Sequence, residues 1–523
     1  MKLYLIKLLS LLFVFSCSKV VIKNKSIKKE SEKKNSKAKY RAASKNKSFK
    51  LYLIRSLKLN QKNYLIDLDG DFIDELITLK ESYSKPEVFN FIEEKLSFKK
   101  MNIESAIDRA SFLKLSSIKS TKNLEIGFFT FFQNNFMPPT GGVFYEVKKH
   151  KNKLSFKETM RVNDKAKMPL TSVVEFEPTG NNERDPMTFY FHWLKNINNK
   201  LTPVIDQYDE GMGLKNLIVE NKERANFSTS LCDVDNDNIV EVILSSTSQD
   251  AIQFLDYDNK GGFSKKELFS QSKVTRGIFS SCFFSFNQIK NPKFTIGSLN
   301  RSYFTKKSSS GVFDINGRLL FNFKIKGGTE IKNIHVLDLN GDTFWDFVVE
   351  NNGHPPESKL EIFISKNGSY EKIDDLNIVN PSGVVYSDFN NDGRIDLLFG
   401  RSTKRAPFIE KSGGILINNL QQSGKSLRVF FEGHKKFKNA EGGIFVLETT
   451  GGIYKSVIQY QQGGLASQSS RFTQFGLGKH RAKGATLTLG AKKIKYDIAP
   501  FSRSNRITLC PKGVVKAGKK KCD

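Results

Sequence analysis

Four segments of the sequence share one pattern of oxygen-bearing side chains. Each segment places Asp, Asn or Glu at its first, third, fifth and ninth positions. The four sets are Asp67, Asp69, Asp71 and Glu75; Asp233, Asp235, Asp237 and Glu241; Asp338, Asn340, Asp342 and Asp346; and Asp388, Asn390, Asp392 and Asp396. Val, Ile, Leu, Phe and Thr dominate the residues that follow, and such runs after a polar loop are typical of buried strands. The chain is therefore constrained to repeat a unit made of an acidic loop and a strand.

The acidic loops predict bound calcium. Side-chain oxygens at these spacings, with a backbone carbonyl near the seventh position, match the roughly six to eight oxygen ligands that Ca²⁺ takes. Without a cation, the neighbouring carboxylates would repel one another. An EF-hand is excluded, because its twelfth position needs a bidentate Glu and these loops have Thr78, Leu244, Val349 and Phe399 there. We therefore expect about four structural calcium sites, with a metal-free Asx turn as the alternative at any single loop.

The spacing of the loops predicts a β-propeller. Asp338 and Asp388 are fifty residues apart, and a repeat of roughly 40 to 50 residues with several strands per unit is typical of propeller blades. The interval from Asp233 to Asp338 is about twice as long, so a degenerate copy is expected at Ser285. There Lys293 takes the ninth position, and we expect its ammonium group to replace the ion. Two further degenerate copies, in the stretch before Leu124 and around residues 176–191, bring the predicted number of blades to seven.

The repeats resemble a known family. A blade of about four strands cannot bury both of its faces alone, so the blades are expected to close in a ring. Over residues 51–425 the sequence resembles the FG-GAP/VCBS-type calcium-binding repeats, which also form the head of integrin α-subunits. This resemblance implies an all-β, seven-bladed β-propeller in which Ca²⁺ ions tie the loops within the blades. It implies no catalysis.

The C-terminal part predicts a second, smaller domain. Residues 426–511 resemble the ASPIC/UnbV domain that closes proteins of the cartilage acidic protein type, with matching segments at 440–443, 462–464, 467–468, 475–478 and 504–509. The sequence departs from that family at Leu465, where an aromatic residue is usual, and at Gln474, where His is usual. The many glycines predict turns or close strand approach in a small β-sandwich. Residues 512–523 are expected to form a basic tail.

The N-terminus predicts export and a lipid anchor. An apolar segment over residues 3–15 has the length of a secretory signal and is too short for a spanning helix of about 20 residues. Ser16 and Cys17 resemble a bacterial lipobox, which implies a signal peptide over residues 1–17, lipid attachment at Cys17 and, with Ser18 next, location at the outer membrane. An ordinary cleavage site beside an accidental cysteine is the alternative. Residues 18–50, rich in Lys, Ser and Asn, predict a tether.

The charge of the chain limits its partners. The sequence has 83 basic and 54 acidic residues, a formal net charge of +29. Such a charge favours anionic partners, and a Lys-rich surface that serves solubility is the alternative. Nucleic acid is not expected, because the chain carries an export signal and lacks a basic and aromatic recognition motif. The expected partners are the membrane, through the lipid anchor, and an unidentified protein or anionic glycan.

Four cysteines remain besides Cys17. Cys510 and Cys522 bracket a short segment, and a disulfide between them would contribute on the order of 2–3 kcal/mol by chain-entropy estimates. Cys232 and Cys282 lie beside loop starts in neighbouring predicted blades. Whether they pair depends on the separation of their Cα atoms, which the sequence leaves open.

The sequence offers no catalytic constellation. Its six histidines are scattered, with no His-Glu-x-x-His, no Cys/His metal cluster and no Gly-x-Ser-x-Gly elbow. Its closely spaced carboxylates lie in the predicted metal loops. We therefore expect a non-enzymatic protein, a binding or adhesion module that is exported and lipid-anchored at the cell envelope. The alternatives are an envelope enzyme or enzyme scaffold of hydrolase type, and a purely structural envelope component.

Overall fold

The computed structural model describes most of the chain from residue 48 onwards. The described residues are 48–54, 62–68, 73–79, 85–92, 95–104, 112–116, 124–130, 141–150, 153–163, 170–176, 188–197, 200–209, 213–217, 228–245, 251–257, 263–270, 277–298, 310–324, 329–353, 359–366, 368–373, 376, 378–401, 412–432, 440–460, 467–490, 492–520 and 522. The predicted signal segment, Cys17 and nearly all of the tether lie outside them. Within these ranges, no helix combines the length and the apolar character that crossing a membrane requires.

The chain is all-β, as the sequence predicts. The larger part contains strands β1 (Phe49–Ile54), β2 (Lys62–Ile66), β3 (Glu75–Leu79), β4 (Glu87–Ile92), β5 (Ser97–Lys100), β6 (Asn102–Ile103), β7 (Phe112–Ser116), β8 (Leu124–Thr130), β9 (Gly141–His150), β10 (Lys153–Asn163), β11 (Leu170–Phe176), β12 (Thr188–Ile197), β13 (Lys200–Asp209), β14 (Gly213–Leu217), β15 (Ser228–Cys232), β16 (Glu241–Ser245), β17 (Ala251–Tyr257), β18 (Phe263–Ser270), β19 (Gly277–Ser285), β20 (Gln288–Ser298), β21 (Gly311–Asp314), β22 (Leu319–Asn322), β23 (Thr329–Leu337), β24 (Asp346–Gly353), β25 (Leu360–Lys366), β26 (Ser369–Lys372), β27 (Pro381–Ser387), β28 (Asp396–Arg401) and β29 (Gly413–Asn418). The smaller part contains β30 (Lys425–Phe431), β31 (Ile444–Thr449), β32 (Ile453–Val457), β33 (Thr473–Gly478), β34 (Ala482–Leu489), β35 (Lys492–Asp497), β36 (Arg506–Leu509) and β37 (Val515–Ala517), with short 3-10 turns at Ala499–Phe501 and Pro511–Gly513.

The first part is a β-propeller. Its described residues form seven sheets. Five of the sheets consist of four strands in chain order: β2–β5, β11–β14, β15–β18, β19–β22 and β23–β26. A sixth sheet has the order β6-β10-β9-β8-β7. The strands pair antiparallel except for β6, which pairs parallel with β10, and such short strands leave few long edges exposed.

The first strand completes the last sheet of the propeller. That sheet has the order β1-β29-β28-β27, and β1 pairs antiparallel with β29 from Phe49 with Asn418 to Ile54 with Gly413. The two ends of this part of the chain are therefore hydrogen-bonded to each other. Strand β1 begins at Phe49, whereas the sequence places the end of the tether at residue 50.

Apolar side chains fill the spaces between neighbouring sheets. Five of the hydrophobic clusters join residues of two adjacent sheets, and the high phenylalanine content contributes rings to several of them. This packing excludes water from the faces that one sheet cannot cover alone. Each cluster contains residues of both sheets, for example Tyr64 and Tyr145, Leu76 and Leu398, or Ile243 and Phe294. The ring centres of Phe283 and Phe347, from two neighbouring sheets, lie 5.9 Å apart.

The C-terminal part is a small β-sandwich. Its sheets have the orders β33-β30-β36-β37 and β32-β31-β34-β35, and both contribute to one apolar core. Val429 and Phe475 of the first sheet and Phe445 and Leu487 of the second are buried in this core. The sheet does not end at residue 511, because Val515–Ala517 pairs antiparallel with β36. Part of the segment that the sequence assigns to a basic tail is therefore an edge strand of the sandwich.

Two disulfides join elements of the fold. Cys510 and Cys522 are bonded, with Cα atoms 5.5 Å apart, and close the segment that contains β37. Cys232 and Cys282 are also bonded, with Cα atoms 5.7 Å apart. The second bond links β15 to β19 in neighbouring sheets, which answers the question that the sequence left open.

Candidate metal centres

All four acidic loops occupy the same place in their sheets. Each connects the first strand of a four-strand unit to the second, namely β2 to β3, β15 to β16, β23 to β24 and β27 to β28. The first loop residue follows the first strand directly, and the ninth begins the second strand. The ninth residue pairs across the sheet with the residue that precedes the loop, as in Cys232 with Glu241 and Leu337 with Asp346. The repeated sequence pattern therefore corresponds to a repeated position in space.

The ninth-position carboxylate fastens each loop to its sheet. In every copy it accepts a hydrogen bond from the backbone N–H of the second loop residue. In the two loops that use Asp, the other oxygen accepts a backbone N–H from a further strand. The bonds are Leu68 to Glu75 at 2.7 Å, Val234 to Glu241 at 2.5 Å, Leu339 to Asp346 at 2.7 Å, Phe389 to Asp396 at 2.9 Å, Ser365 to Asp346 at 2.7 Å and Asn418 to Asp396 at 2.8 Å.

In the third and fourth loops, the Asp at the first position accepts hydrogen bonds from backbone N–H groups of its own loop. Asp338 accepts N–H groups from Gly341 at 2.6 Å, Asp342 at 3.2 Å and Thr343 at 2.9 Å. Asp388 in the fourth loop accepts the equivalent bonds from Asp392 at 3.0 Å and Gly393 at 2.9 Å. Within the third loop, Asn340 and Asp342 also accept the N–H two residues on, from Asp342 at 3.2 Å and from Phe344 at 2.8 Å, and these are the bonds of the Asx turn that the sequence leaves open as the alternative.

Among the residues that the structure describes, the second loop brings the largest number of carboxylates together. Oxygens of Asp233, Asp235 and Asp237 lie within 4.8 Å of one another, and so do oxygens of Asp235, Glu241 and Asp256. Among the described residues, both groups of this kind belong to this loop. Asp256 lies on β17, beyond the nine-residue pattern, and it also pairs with Lys266. An all-oxygen donor set of this kind suits a hard divalent cation.

Apart from Asp233 Oδ2, which lies 2.6 Å from Lys455 Nζ, two buried oxygens of the second loop have no hydrogen-bond donor within the described ranges. They are Asp233 Oδ1 and Glu241 Oε1. Burial first, and then the charges of Asp235, Asp233 and Asp237, raise the pKa of Glu241 to about 9. Burial also raises the pKa of Asp233, against the opposing effect of Lys455. The loop thus holds carboxylates whose ionised form needs additional positive charge.

The third and fourth loops hold fewer carboxylates. The third and fourth loops have Asn340 and Asn390 at the third position, and each carboxamide donates to the Asp at the fifth position, at 3.0 Å to Asp342 and 2.9 Å to Asp392. Burial, and then the charge of Asp342, raise the pKa of Asp338. In the first loop, the predicted ligands Asp69 and Asp71 lie outside the described residues, and Asp67 and Glu75 lie inside them.

The degenerate loop contains the lysine that the sequence singles out. Lys293 is half-buried and donates from Nζ to Ser285 Oγ at 2.7 Å, so it reaches from the ninth position to the first. Burial lowers the pKa of Lys293. That an ion is absent from this loop stays a prediction.

The C-terminal domain covers the face on which the acidic loops lie. It places a basic side chain against the first residue of three loops. The contacts are Lys455 Nζ to Asp233 Oδ2 at 2.6 Å, Arg428 Nη2 and Arg506 Nη2 to Asp388 Oδ2 at 2.7 Å and 2.9 Å, and Lys519 Nζ to Asp67 Oδ2 at 3.9 Å and to Asp74 Oδ1 at 3.4 Å. Residues scattered over the C-terminal sequence therefore converge on one face of the propeller.

The third loop meets the backbone of the C-terminal domain instead. A β-carbon on Gly476 would overlap Asp338 Oδ2, and Gly478 donates its N–H to Gly341 O at 3.0 Å. The linker adds a further contact, from Ser423 N to Asn340 O at 2.8 Å. Two glycines of the 475–478 segment thus permit a close approach between domains. The sequence predicted turns or close strand approach here but did not indicate the domain contact.

No protein-family model matches the chain, and no curated protein matches it. Several solved structures share the course of its backbone at low identity. The Dos1 propeller is 10% identical, with coverage of 71% of this chain and 84% of that chain and a TM-score of 0.38. The exotype rhamnogalacturonan lyase YesX is 12% identical, with coverage of 71% and 73% and a TM-score of 0.40. BBS1N in complex with ARL6DN is 9% identical, with coverage of 69% and 92% and a TM-score of 0.40.

Proposed function

We propose that this protein is an exported, lipid-anchored β-propeller that binds calcium in its acidic loops and serves as a binding or adhesion module at the cell envelope. The propeller fold suits a binding or scaffold module. The four-fold recurrence of the acidic loop and the glycine-rich C-terminal segments support membership of the FG-GAP/VCBS and ASPIC/UnbV groups. The observation that carries the calcium proposal is the carboxylate cluster of the second loop, with its two unpaired buried oxygens.

The residues of the second loop fit a calcium ion by their chemistry. Asp233, Asp235, Asp237 and Glu241 would hold it, with Asp256 close by. The ion would supply the positive charge that these buried carboxylates lack and would cross-link the loop. Ca²⁺ is preferred to Mg²⁺ because Mg²⁺ dehydrates reluctantly and demands a tight octahedron, whereas a carboxylate-rich loop tolerates irregular coordination.

Thermal unfolding with and without a chelator tests the calcium proposal. A ligand that binds the native state alone stabilises it by about 2.7 kcal/mol at a concentration of 100 times its dissociation constant. We expect chelation to lower the melting temperature, and Ca²⁺ to restore it better than Mg²⁺. Replacing both Asp235→Asn and Asp237→Asn is expected to reduce the gain from Ca²⁺, whereas the exposed control Glu371→Gln leaves it unchanged. Identical melting curves with and without Ca²⁺ would show that the loops are turns that need no metal.

The lipid anchor is tested by Cys17→Ser. This substitution removes the thiol that the lipobox would modify, so we expect loss of fatty-acid labelling and release of the chain to a soluble or unprocessed pool. Lack of labelling in the wild type would contradict the anchor, and an unchanged distribution of the variant would contradict its role in location.

The binding role is tested with the full chain that carries Cys17→Ser. The net charge of +29 favours an anionic ligand, so acidic and neutral glycans of equal length are compared, alongside a panel of envelope proteins. The same preparation is assayed on hydrolase substrates, because we propose that the protein is not an enzyme. Selective binding without turnover supports the proposal. Turnover of a substrate would favour an envelope enzyme, and absence of both binding and turnover would favour a structural component.

A further inference from the structure

Basic side chains of the protein itself lie against the second and fourth acidic loops. At the second loop, the ammonium group of Lys455 lies 2.6 Å from Asp233 Oδ2 and donates to Asn236 Oδ1 at 2.8 Å. It also lies 4.8 Å from the centre of the Phe284 ring, within the range of cation–π attraction. Two loop oxygens and an aromatic face therefore surround one positive charge.

The pairing of Lys455 with Asp233 is buried. The exposed fraction is 5% for the Lys455 side chain and 0% for that of Asp233. At the fourth loop, Arg428 and Asp388 are similarly buried, with exposed fractions of 4% and 1%. Solvent screens such pairs weakly, so their charges act strongly on any further ion in the loop. These pairs differ from surface ion pairs, which contribute little to stability.

The third loop differs from the second and fourth. Among the described residues, no Lys or Arg forms an ion pair with Asp338, whose carboxylate instead accepts three backbone N–H groups. The domain contact there is made by Gly476 and Gly478, which bring backbone and no charge. The four loops, which look equivalent in sequence, thus meet the C-terminal domain in two different ways.

We propose that Lys455 is an internal competitor of the divalent cation at the second loop, so that docking of this edge of the C-terminal domain and metal binding there oppose each other. An ammonium group and Ca²⁺ on the same carboxylate repel one another across a few ångströms of a poorly hydrated interface. The opposition is reciprocal, because a bound ion weakens the docking contact by the same free energy by which Lys455 weakens binding of the ion. Metal binding at the third loop carries no such opposition. This inference rests on the calcium proposal above.

Calcium titration of the full chain tests the competition. Lys455→Met removes the charge and keeps most of the apolar stem, so we expect the dissociation constant of one Ca²⁺ site to fall by about tenfold, within the usual range of coupling between sites. Lys455→Arg is expected to retain the affinity of the wild type. The matched control is Lys493→Met, an exposed lysine on β35 of the same sheet, which is expected to change nothing.

Hydrogen exchange in the wild type tests the same coupling without a substitution. Ile453, two residues before Lys455 on β32, donates its N–H to Asn287 Oδ1 of the degenerate loop at 2.8 Å, and Gly478 donates to Gly341 O of the third loop at 3.0 Å. We expect Ca²⁺ to speed exchange in peptides that contain Ile453 and not in those that contain Gly478. Slower exchange at Ile453 would overturn the competition.

The outcomes separate the two proposals. If wild type and Lys455→Met bind Ca²⁺ with the same affinity, the competition is wrong and the calcium proposal stands. If neither binds Ca²⁺, the calcium proposal is wrong, and the competition is wrong with it.

Discussion

The carboxylate of Asp338 lies so close to the α-carbon of Gly476 that a β-carbon on this glycine would overlap Asp338 Oδ2. Asp338 begins the third acidic loop of the propeller, and Gly476 lies on β33 of the C-terminal sandwich. Because residue 476 has no side chain, the two domains can approach this closely at the third loop. The donors to Asp338 are the backbone N–H groups of Gly341, Asp342 and Thr343.

Gly476→Ala is predicted to destabilise the protein by about 1–3 kcal/mol, the usual cost of overpacking a filled site. The added methyl group must displace the Asp338 carboxylate and with it the loop backbone that this carboxylate holds. Urea unfolding measures the loss. Gly484→Ala is the matched control, because a β-carbon there would lie 3.5 Å from its nearest neighbour, Tyr496 O, an ordinary contact distance. Equal losses in the two variants would contradict this explanation.

Asp346→Asn is predicted to cost about 1–3 kcal/mol in chelator, where no bound ion contributes. Both oxygens of Asp346 accept buried N–H groups, from Leu339 and Ser365, and a carboxamide turns one acceptor into a donor that faces a donor. Glu371→Gln is the control, since Glu371 is exposed and pairs only across the surface with Lys366, and a change there stays within about 0.5 kcal/mol. A loss in Asp346→Asn no larger than in this control would show that the second hydrogen bond is dispensable.

The local features of this protein follow from its sequence. Each loop pattern predicts the strands on either side of it. The ninth-position carboxylate can accept the N–H of the second loop residue only where the intervening chain turns back and the second strand begins at the ninth residue. The acidic loops, the strands that begin after them and the repeat of this unit are therefore readable from alternation, turn residues and repeat length, whereas the pairing of β1 with β29 and of β6 with β10 is not.

The contacts between distant segments do not follow from the sequence. Asp256 joins the second loop through the pairing of β16 with β17, and Lys455 reaches Asp233 only because the sandwich docks on that face. Among many lysines, nothing in the local pattern marks Lys455. The bond between Cys232 and Cys282 depends likewise on how two sheets stack, which sets their Cα separation at 5.7 Å.

Loss of the Cys232–Cys282 disulfide is predicted to cost more than loss of Cys510–Cys522. The first spans 50 residues and the second 12, and the chain-entropy model gives about 4 and about 3 kcal/mol for such loops. The double variants Cys232→Ser with Cys282→Ser, and Cys510→Ser with Cys522→Ser, are compared by urea unfolding under the same conditions. A larger loss of unfolding free energy on removal of Cys510–Cys522 would show that contacts in the folded state, and not the conformational entropy of the unfolded chain, determine what the two disulfides contribute.

Lys293→Met is predicted to shift the dependence of stability on pH in the alkaline range. Burial lowers the pKa of Lys293 in the folded protein below the usual 10.5, so the unfolded chain binds more protons there between the two pKa values. The stability of the wild type therefore rises with pH through this window, because the cost of burying the ammonium disappears as the group becomes neutral.

The Lys293→Met variant never has this charge, so its free energy of unfolding relative to the wild type is greatest near neutral pH and falls as the pH approaches 10.5. The lost hydrogen bond to Ser285 subtracts on the order of 1 kcal/mol from the variant. Urea unfolding of both proteins at neutral and alkaline pH gives the two slopes, with Lys493→Met as the exposed control, and parallel slopes for the wild type and Lys293→Met would show that the Lys293 ammonium is fully solvated in the folded protein.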